Sequence, residues 1–506
     1  MGDPVEPAEG EGLGELFVRG EQVGEGIGHG PTVDPRRPSR IHSGAEITRA
    51  SSCRGPHRWC RHLRRITGRS DVDRRRGRIA FVAAVGTAAA LGLAACGSDS
   101  DSTGGTQLTW YINPDGGGSD PNGGGQAQLA KECTAASDGA YDIGIELLPN
   151  EATDQRQQLL RRLASNDTGV DIMSIDPVFV AEFAEAGYLA EVPAEIQSDL
   201  REDSVDPALE SAMWKDTMYA APFWANTQLL WYRKSVAREA GLDMTKPVTW
   251  EQVIEAAEAT DTEIGVQASP YEGYVAWINA LVEGSGGAVV TNPGADGPDL
   301  EFGLETEAGA NATQIIKDIA DKNVAGPAMG STNETTTLDM FQNDQAGFMV
   351  NWIYVYATLK GGDSKAAQDL GWARYPQTVA GEQSKPPLGG IEMGVNAASE
   401  NENVAWDAVE CLTSKKGQTD YMLGSGNPAA RKSVYDNPEI KKQFPMAELI
   451  RYSLDTGAPR PLTQYYGDVS AGIQEEYSPP GSVDPDSTPR ETTSLLEAVL
   501  RGDALL

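Results

Sequence analysis

The chain has 506 residues and a formal net charge of −33. That length is too great for one ordinary domain and calls for two or more lobes. With 40% apolar residues, 10 Trp, 16 Tyr and 9 Phe, it can build packed cores, which argues against overall disorder. A pI near 4.5 argues against a nucleic-acid partner, because phosphates attract Lys and Arg rather than carboxylates.

Residues 1–78 are rich in Gly, Arg, Pro and Ser and show little apolar periodicity. Arg74, Arg75, Arg76 and Arg78 then precede the apolar run Ile79–Ala95, which is short for a bilayer span of about 20 residues. A basic start, a short apolar run and small residues at its end mark a secretory signal. Leu93-Ala94-Ala95-Cys96 resembles the lipobox of bacterial lipoproteins, in which the Cys is diacylated and becomes the first mature residue. A weak anchor with a chance cysteine is the plainer alternative. Residues 1–95 are therefore expected to be a leader, and 96–105 a tether from the lipid. A signal should open a chain, and the next methionine after Met1 is Met173. Residues 1–71 are accordingly expected to be a mis-assigned extension. Arg74-Arg75 permits twin-arginine export as well as the general route.

Beyond the tether, Gln107–Ile112 reads as a strand, Gln126–Ser137 as a helix carrying Cys133, and Tyr141–Leu148 as a second strand. Thr153–Ser165 has helical apolar spacing, Val170–Ile175 is a third strand, and a helix follows from about Val178 to Ala186. This alternation predicts a parallel sheet with crossover helices. Further strands are predicted at Gln228–Tyr232, Gln345–Asn351 and Ile391–Asn396. Helices are predicted at Thr249–Ala259, Tyr274–Val282 and Asn403–Thr413, the last with Cys411 near its end. The Pro-rich stretch Gly457–Pro489 is expected to run over the surface.

All four histidines lie at or before His62. Ser-His-Asp and Cys-His catalysis and His-ligated zinc are thus excluded from the rest of the chain, and no metal or cofactor is expected. GxxxxGK[ST] is absent, and Gly116–Gly125 lacks the lysine of a phosphate cradle. The leader holds 15 Arg and 11 acidic residues, so the remainder carries −37 rather than −33. Such charge keeps an exported protein soluble and does not by itself mark a cationic ligand. With Cys96 lipidated, Cys133 and Cys411 are left to form a disulfide or to stay as two buried thiols.

Several segments together carry a resemblance: the lipobox, the strand end at Asp176, AAPFWANTQLLWYRKS (220–235), VTWEQV (248–253), SPYEG (269–273), AGFMVNWIYVYA (346–357), GGIEMGVNAASENENVAWDAVECLTS (389–414) and PRPLTQYYGDVS (459–470). In this order the chain resembles the solute-binding lipoproteins of ABC sugar importers, in the maltose/trehalose-binding group, and most of all the actinobacterial trehalose-binding members. The resemblance implies an α/β, two-lobed periplasmic-binding-protein-like fold with the ligand cleft between the lobes. It implies three hinge crossings, near Phe223–Gln228, Gly389–Glu392 and Gly426–Ser433. Lobe one would hold 106–223 and 392–430, and lobe two 228–388 and 434–506. Both Cys133 and Cys411 would then fall in lobe one.

The resemblance also implies site residues. Asp176 and Asn226 match hydroxyl-binding positions, and Asn113 holds the same kind of place after the first strand. Trp352 matches a stacking aromatic, Gly390 a glycine whose amide meets the sugar, and Arg460 an arginine that reaches the ligand. Tyr271, Glu272, Glu151 and Gln155 are weaker candidates. Their plainer alternatives are turn and cap chemistry for Asn and Asp, a helix cap for Glu272, a core Trp, and a solvated Arg. Ile391 departs from an aromatic found in some relatives. The implied function is capture of trehalose or a related disaccharide by a monomer anchored through lipid at the extracytoplasmic face of the membrane. An ABC permease with a separate ATPase would receive the sugar, and this chain would break no bond. Maltose or a maltodextrin is the alternative ligand. A secreted glycosidase with paired carboxylates is the rival of another class, and a lipid-anchored adhesion or scaffold protein is a second.

Overall fold

Strand β1 (Thr106–Ile112) is the first described element, and its sequence TQLTWYI suits a pleated strand with burial on both faces. This computed structural model describes residues 105–114, 118–360, 362 and 364–506. The leader, Cys96 and the tether up to residue 104 lie outside the described residues. Helix Gln126–Ala136, strand β2 (Tyr141–Leu147), helix Ala152–Leu163 and strand β3 (Ile172–Ile175) follow. β1 pairs in parallel with both β2 and β3, so each helix is a crossover between parallel strands. β4 (Met213–Trp214) and β5 (Thr217–Met218) make a small antiparallel pair.

β6 (Ala220–Arg233) is buried along its length except at Asn226 and Tyr232, the pattern of a central strand. The remaining strands are β7 (Glu263–Gly265), β8 (Ala346–Trp352), β9 (Leu370–Ala373) and β10 (Leu388–Val395). Their order is β2-β1-β3-β10-β6-β8-β7, with β9 also on β6. β10 runs antiparallel to β3 and β6, so the parallel arrangement expected from the first three strands does not extend across the sheet. β6 changes neighbours at its middle. Ala220–Thr227 pairs with β10, and Gln228–Arg233 pairs with β8 and β9. The predicted strand at 228–232 is only the second half of β6, because the first half reads as mixed small and apolar residues without a strand pattern of its own and is paired by the distant β10.

Two core clusters result. One includes Trp110, Phe223, Trp250, Trp277 and Tyr466, and the other Trp231, Met349, Ile353, Tyr435 and Ile450. Helix Glu272–Gly284 buries 11 of its 13 residues, so it is a core helix rather than an amphipathic surface one. Thr249 caps helix Trp250–Ala259 through a capping box with Gln252. Cys133 and Cys411 are disulfide-bonded with Cα atoms 5.9 Å apart, joining helix Gln126–Ala136 to helix Glu402–Thr413.

The expectation for Gly457–Pro489 is corrected. It contains helix Tyr466–Glu476, and Tyr466, Val469, Ile473 and Tyr477 are all fully buried. Their spacing is a helical stripe that the surrounding prolines masked. Among the described residues, no helix is long and apolar enough to cross a membrane, and no cluster of His, Cys, Asp and Glu could hold a metal ion.

Candidate functional site

The end of β3 places Asp176 at the start of the 3₁₀ turn Pro177–Phe179, where its Oδ1 accepts from the Val178 N–H at 3.3 Å. The expected turn chemistry is thus present, but the same oxygen also accepts from Arg460 Nη2 at 2.7 Å. Arg460 sits between two prolines in a turn that is pinned on two sides. Leu388 N–H donates to the Ala458 carbonyl at 3.1 Å, and Asn279 Nδ2 donates to the Pro459 carbonyl at 3.1 Å. The other arm of the guanidinium, Nη1, meets Glu272 Oε1 at 2.5 Å. Tyr466 donates its hydroxyl to the same carboxylate, and Ser470 Oγ donates to Glu272 Oε2 at 2.7 Å. Arg460 is therefore no solvated surface arginine: it is 5% exposed, and its Nε is buried without a partner. Nor does Glu272 cap its helix, since its carboxylate is taken by these three side chains.

The electrostatics follow from burial. Desolvation raises the Asp176 pKa above the ordinary range, Arg460 draws it down, and Glu272 adds to the rise. Burial alone would lower the Arg460 pKa, but Asp176, Tyr466 and Glu272 more than offset it and hold the guanidinium charged. One cation thus faces two carboxyl groups, one at the end of β3 and one at the head of helix Glu272–Gly284.

A second group surrounds Trp352, which is half-buried and not a core residue. Its indole Nε1 points at Glu334 Oε1 at 3.4 Å, and Tyr271 donates its hydroxyl to Glu334 Oε2 at 2.7 Å. Burial raises the Glu334 pKa, and Glu151 adds to the rise. Burial, with Glu334 and Glu151 adding to it, holds the Tyr271 phenol well above its usual value. Glu151 is exposed at the N-terminal end of helix Ala152–Leu163, with no side-chain cap bond.

The Trp352 ring lies over Gly389: a Cβ built there would sit 3.2 Å from the indole. Gly389 pairs across β10 and β6 with Asn226, whose Oδ1 accepts from the Thr227 N–H at 3.0 Å. Gly390 has φ +138°, and a Cβ there would lie 2.3 Å from the Trp224 carbonyl oxygen, so only glycine fits. Asn226, Trp352 and the Gly389-Gly390 pair therefore converge where β6 changes neighbours. Ile391 and Trp224, paired across the strands, are both buried and act as packing. Asn113 is buried after β1, and both its carbonyl and its Oδ1 accept from Gln126 Nε2. Gln155 is buried, and its amide donates to the Pro149 and Asn150 carbonyls, which staples that loop.

Sequence reasoning missed Glu334, Tyr466, Ser470 and Glu392. Glu392 lies on β10 opposite Ile175, is 1% exposed, and accepts one bond, from Ser211 Oγ at 2.9 Å. Its Oε2 has no partner, and burial, with Asp176 nearby, lifts its pKa to about 8. A lone glutamate within the apolar strand LGGIEMGV was the available signal. An open groove of about 660 Å³ lies elsewhere, beside the disulfide, and contains none of these residues.

The family model for bacterial extracellular solute-binding proteins matches residues 128–447. The chain belongs to that family, whose members bind solutes rather than transform them. It is 24% identical over 407 residues to the diacetylchitobiose-binding protein DasA of Streptomyces coelicolor, covering 77% of this chain and 90% of that protein. Among solved structures, maltose-bound MalE3 of T. maritima superposes with a TM-score of 0.67 at 22% identity, over 78% of this chain and all of that one. The GacH receptor of Streptomyces glaucescens gives 0.66 at 22% identity, over 79% and 100%. These neighbours establish the two-lobed periplasmic-binding-protein fold.

Proposed function

We propose that the protein captures trehalose, or a closely related neutral disaccharide, and presents it to an ABC importer. The observation that carries this reading is the buried Arg460 fork, set between Asp176 and Glu272 with its Nε still unpaired. A planar guanidinium and flanking carboxylates suit pairs of sugar hydroxyls and ring oxygens. The half-buried Trp352 face suits the C–H patches of a pyranose. Asn113, Asn226, the Gly390 amide, Tyr271 and Glu151 complete the grip in this reading. Support for a sugar also comes from the relatives, whose names include diacetylchitobiose and maltose binders. A maltose-type ligand is compatible with the same residues.

Lobe one (106–223 and 392–430) and lobe two (228–388 and 434–506) would turn about the crossings near 223–228, 389–392 and 426–433. The change of neighbours within β6 supports the first of these. A sugar that touches Asp176 on one lobe and Arg460 on the other favours the closed form, which the permease would recognise. Energy comes from the partner ATPase. Lipidation at Cys96 would hold the monomer at the extracytoplasmic face, and export would oxidise Cys133 and Cys411. A thermal-shift panel checks the ligand. Trehalose should raise the melting temperature more than maltose, maltotriose or glucose does, because a ligand of the native state stabilises it. No shift with any sugar, or release of glucose from trehalose, contradicts the reading.

A further inference from the structure

Glu334 stands beside Trp352, and its carboxyl takes its hydrogen bonds from aromatic side chains rather than from a cation. It opens helix Glu334–Gln342, which Asn333 caps by accepting from the Thr336 N–H at 3.0 Å. Its carboxyl is divided between two aromatic donors, the Tyr271 hydroxyl at 2.7 Å and the Trp352 indole at 3.4 Å. Its backbone is held independently. Asn351 is fully buried, donates through Nδ2 to the Glu334 carbonyl at 3.0 Å, and accepts through Oδ1 from the Trp352 N–H at 2.8 Å. The same Nδ2 donates to Thr337 Oγ1 at 3.1 Å. Thr337 accepts in turn from Gln267 Nε2, and Gln267 Oε1 accepts from Gln228 Nε2 at the middle of β6. Gln228, Gln267, Thr337 and Asn351 are all fully buried. A continuous polar chain therefore ties the strand crossover to the base of Glu334, and the Glu334 carboxyl ties that base to two aromatic side chains.

We propose that Glu334 is a positioning residue of the cleft, fixing the Trp352 ring and the Tyr271 hydroxyl in the orientation in which they meet a pyranose. This rests on the carbohydrate reading above for the ligand, but not for the orientation of the rings. An unconstrained Trp352 indole could turn about its side-chain torsions, and stacking depends on ring orientation. A carboxylate that accepts two hydrogen bonds removes that freedom before the ligand arrives, which lessens the ordering that binding demands.

The test compares wild type with Glu334→Gln and Glu334→Ala, all labelled with 5-fluorotryptophan. Trp352, one of ten tryptophans, is assigned by its loss in Trp352→Phe. Without ligand, Glu334→Ala should shift or broaden the Trp352 fluorine resonance. Glu334→Gln, which keeps one acceptor oxygen, should move it less. Calorimetric affinity for trehalose and maltose should fall about thirtyfold or more in Glu334→Ala and recover by roughly tenfold in Glu334→Gln. A Trp352 resonance unchanged in both variants overturns the proposal, even if affinity falls, since Glu334 would then touch the ligand directly. If wild type binds neither sugar, the carbohydrate reading fails, and the ligand-free resonance still decides what Glu334 does.

Discussion

Arg460 and the two carboxylates it joins make the site a matter of stability as well as binding. Removing one member of a buried ion cluster strands the others without compensation, at a cost of about 3–5 kcal/mol. Arg460→Ala should therefore lower the melting temperature by several degrees and also abolish sugar affinity. Trp352→Ala, at a half-buried position, should weaken binding at least tenfold with a much smaller thermal effect. Differential scanning calorimetry and sugar titration on both variants separate the two losses; equal melting temperatures would mean that Arg460 is not buried as described. Glu392 sets a pH dependence. Its pKa of about 8 in the fold against 4.5 for an ordinary glutamate means that the folded state binds a proton that the unfolded state releases. Its contribution therefore lowers stability as pH rises from about 4.5 to about 8, by several kcal/mol in total, and is constant above that. Glu392→Gln should flatten this slope and melt higher than wild type at pH 8. Parallel melting curves from pH 5 to pH 9 would remove Glu392 from the account.

At the scale of elements, periodicity found the strands and helices that bury one face in a regular pattern. β1, β2, helix Ala152–Leu163 and helix Trp250–Ala259 were legible to within a residue or two because each carries its own apolar spacing or cap. The first half of β6 was not, since its partner strand lies about 170 positions away and its small residues carry no alternation of their own. Helix Tyr466–Glu476 was hidden for a different reason, its stripe being embedded among turn residues. The site shows the same division. Asp176, Trp352 and Arg460 stand at strand ends or turns, and Gly390 lies within a double glycine of β10, all in segments that a known sequence pattern marks. Glu334 and Glu392 gain their character only from burial against distant elements, which no local signal carries. The disulfide joins two helices and none of the site residues. Cys133→Ser with Cys411→Ser should lower stability by up to about 5 kcal/mol on the chain-entropy estimate, with sugar affinity within twofold of wild type. A large loss of affinity would show that this half of the molecule shapes the cleft.

For the whole molecule, the arrangement explains how a protein with no bond-breaking chemistry can act as a selective carrier. β6 pairs with β10 over its first half and with β8 and β9 over its second, Asn226, Trp352 and Gly390 gather where it changes neighbours, and Asp176 meets Arg460 nearby. A neutral disaccharide that bridges these groups would join the two lobes without altering either. Isothermal titration of the purified protein with trehalose, with the sugar recovered and chromatographed afterwards, tests this most directly. The account predicts saturable binding at about one sugar per chain and the return of intact trehalose. Absence of heat with any neutral disaccharide, or recovery of glucose, would contradict it.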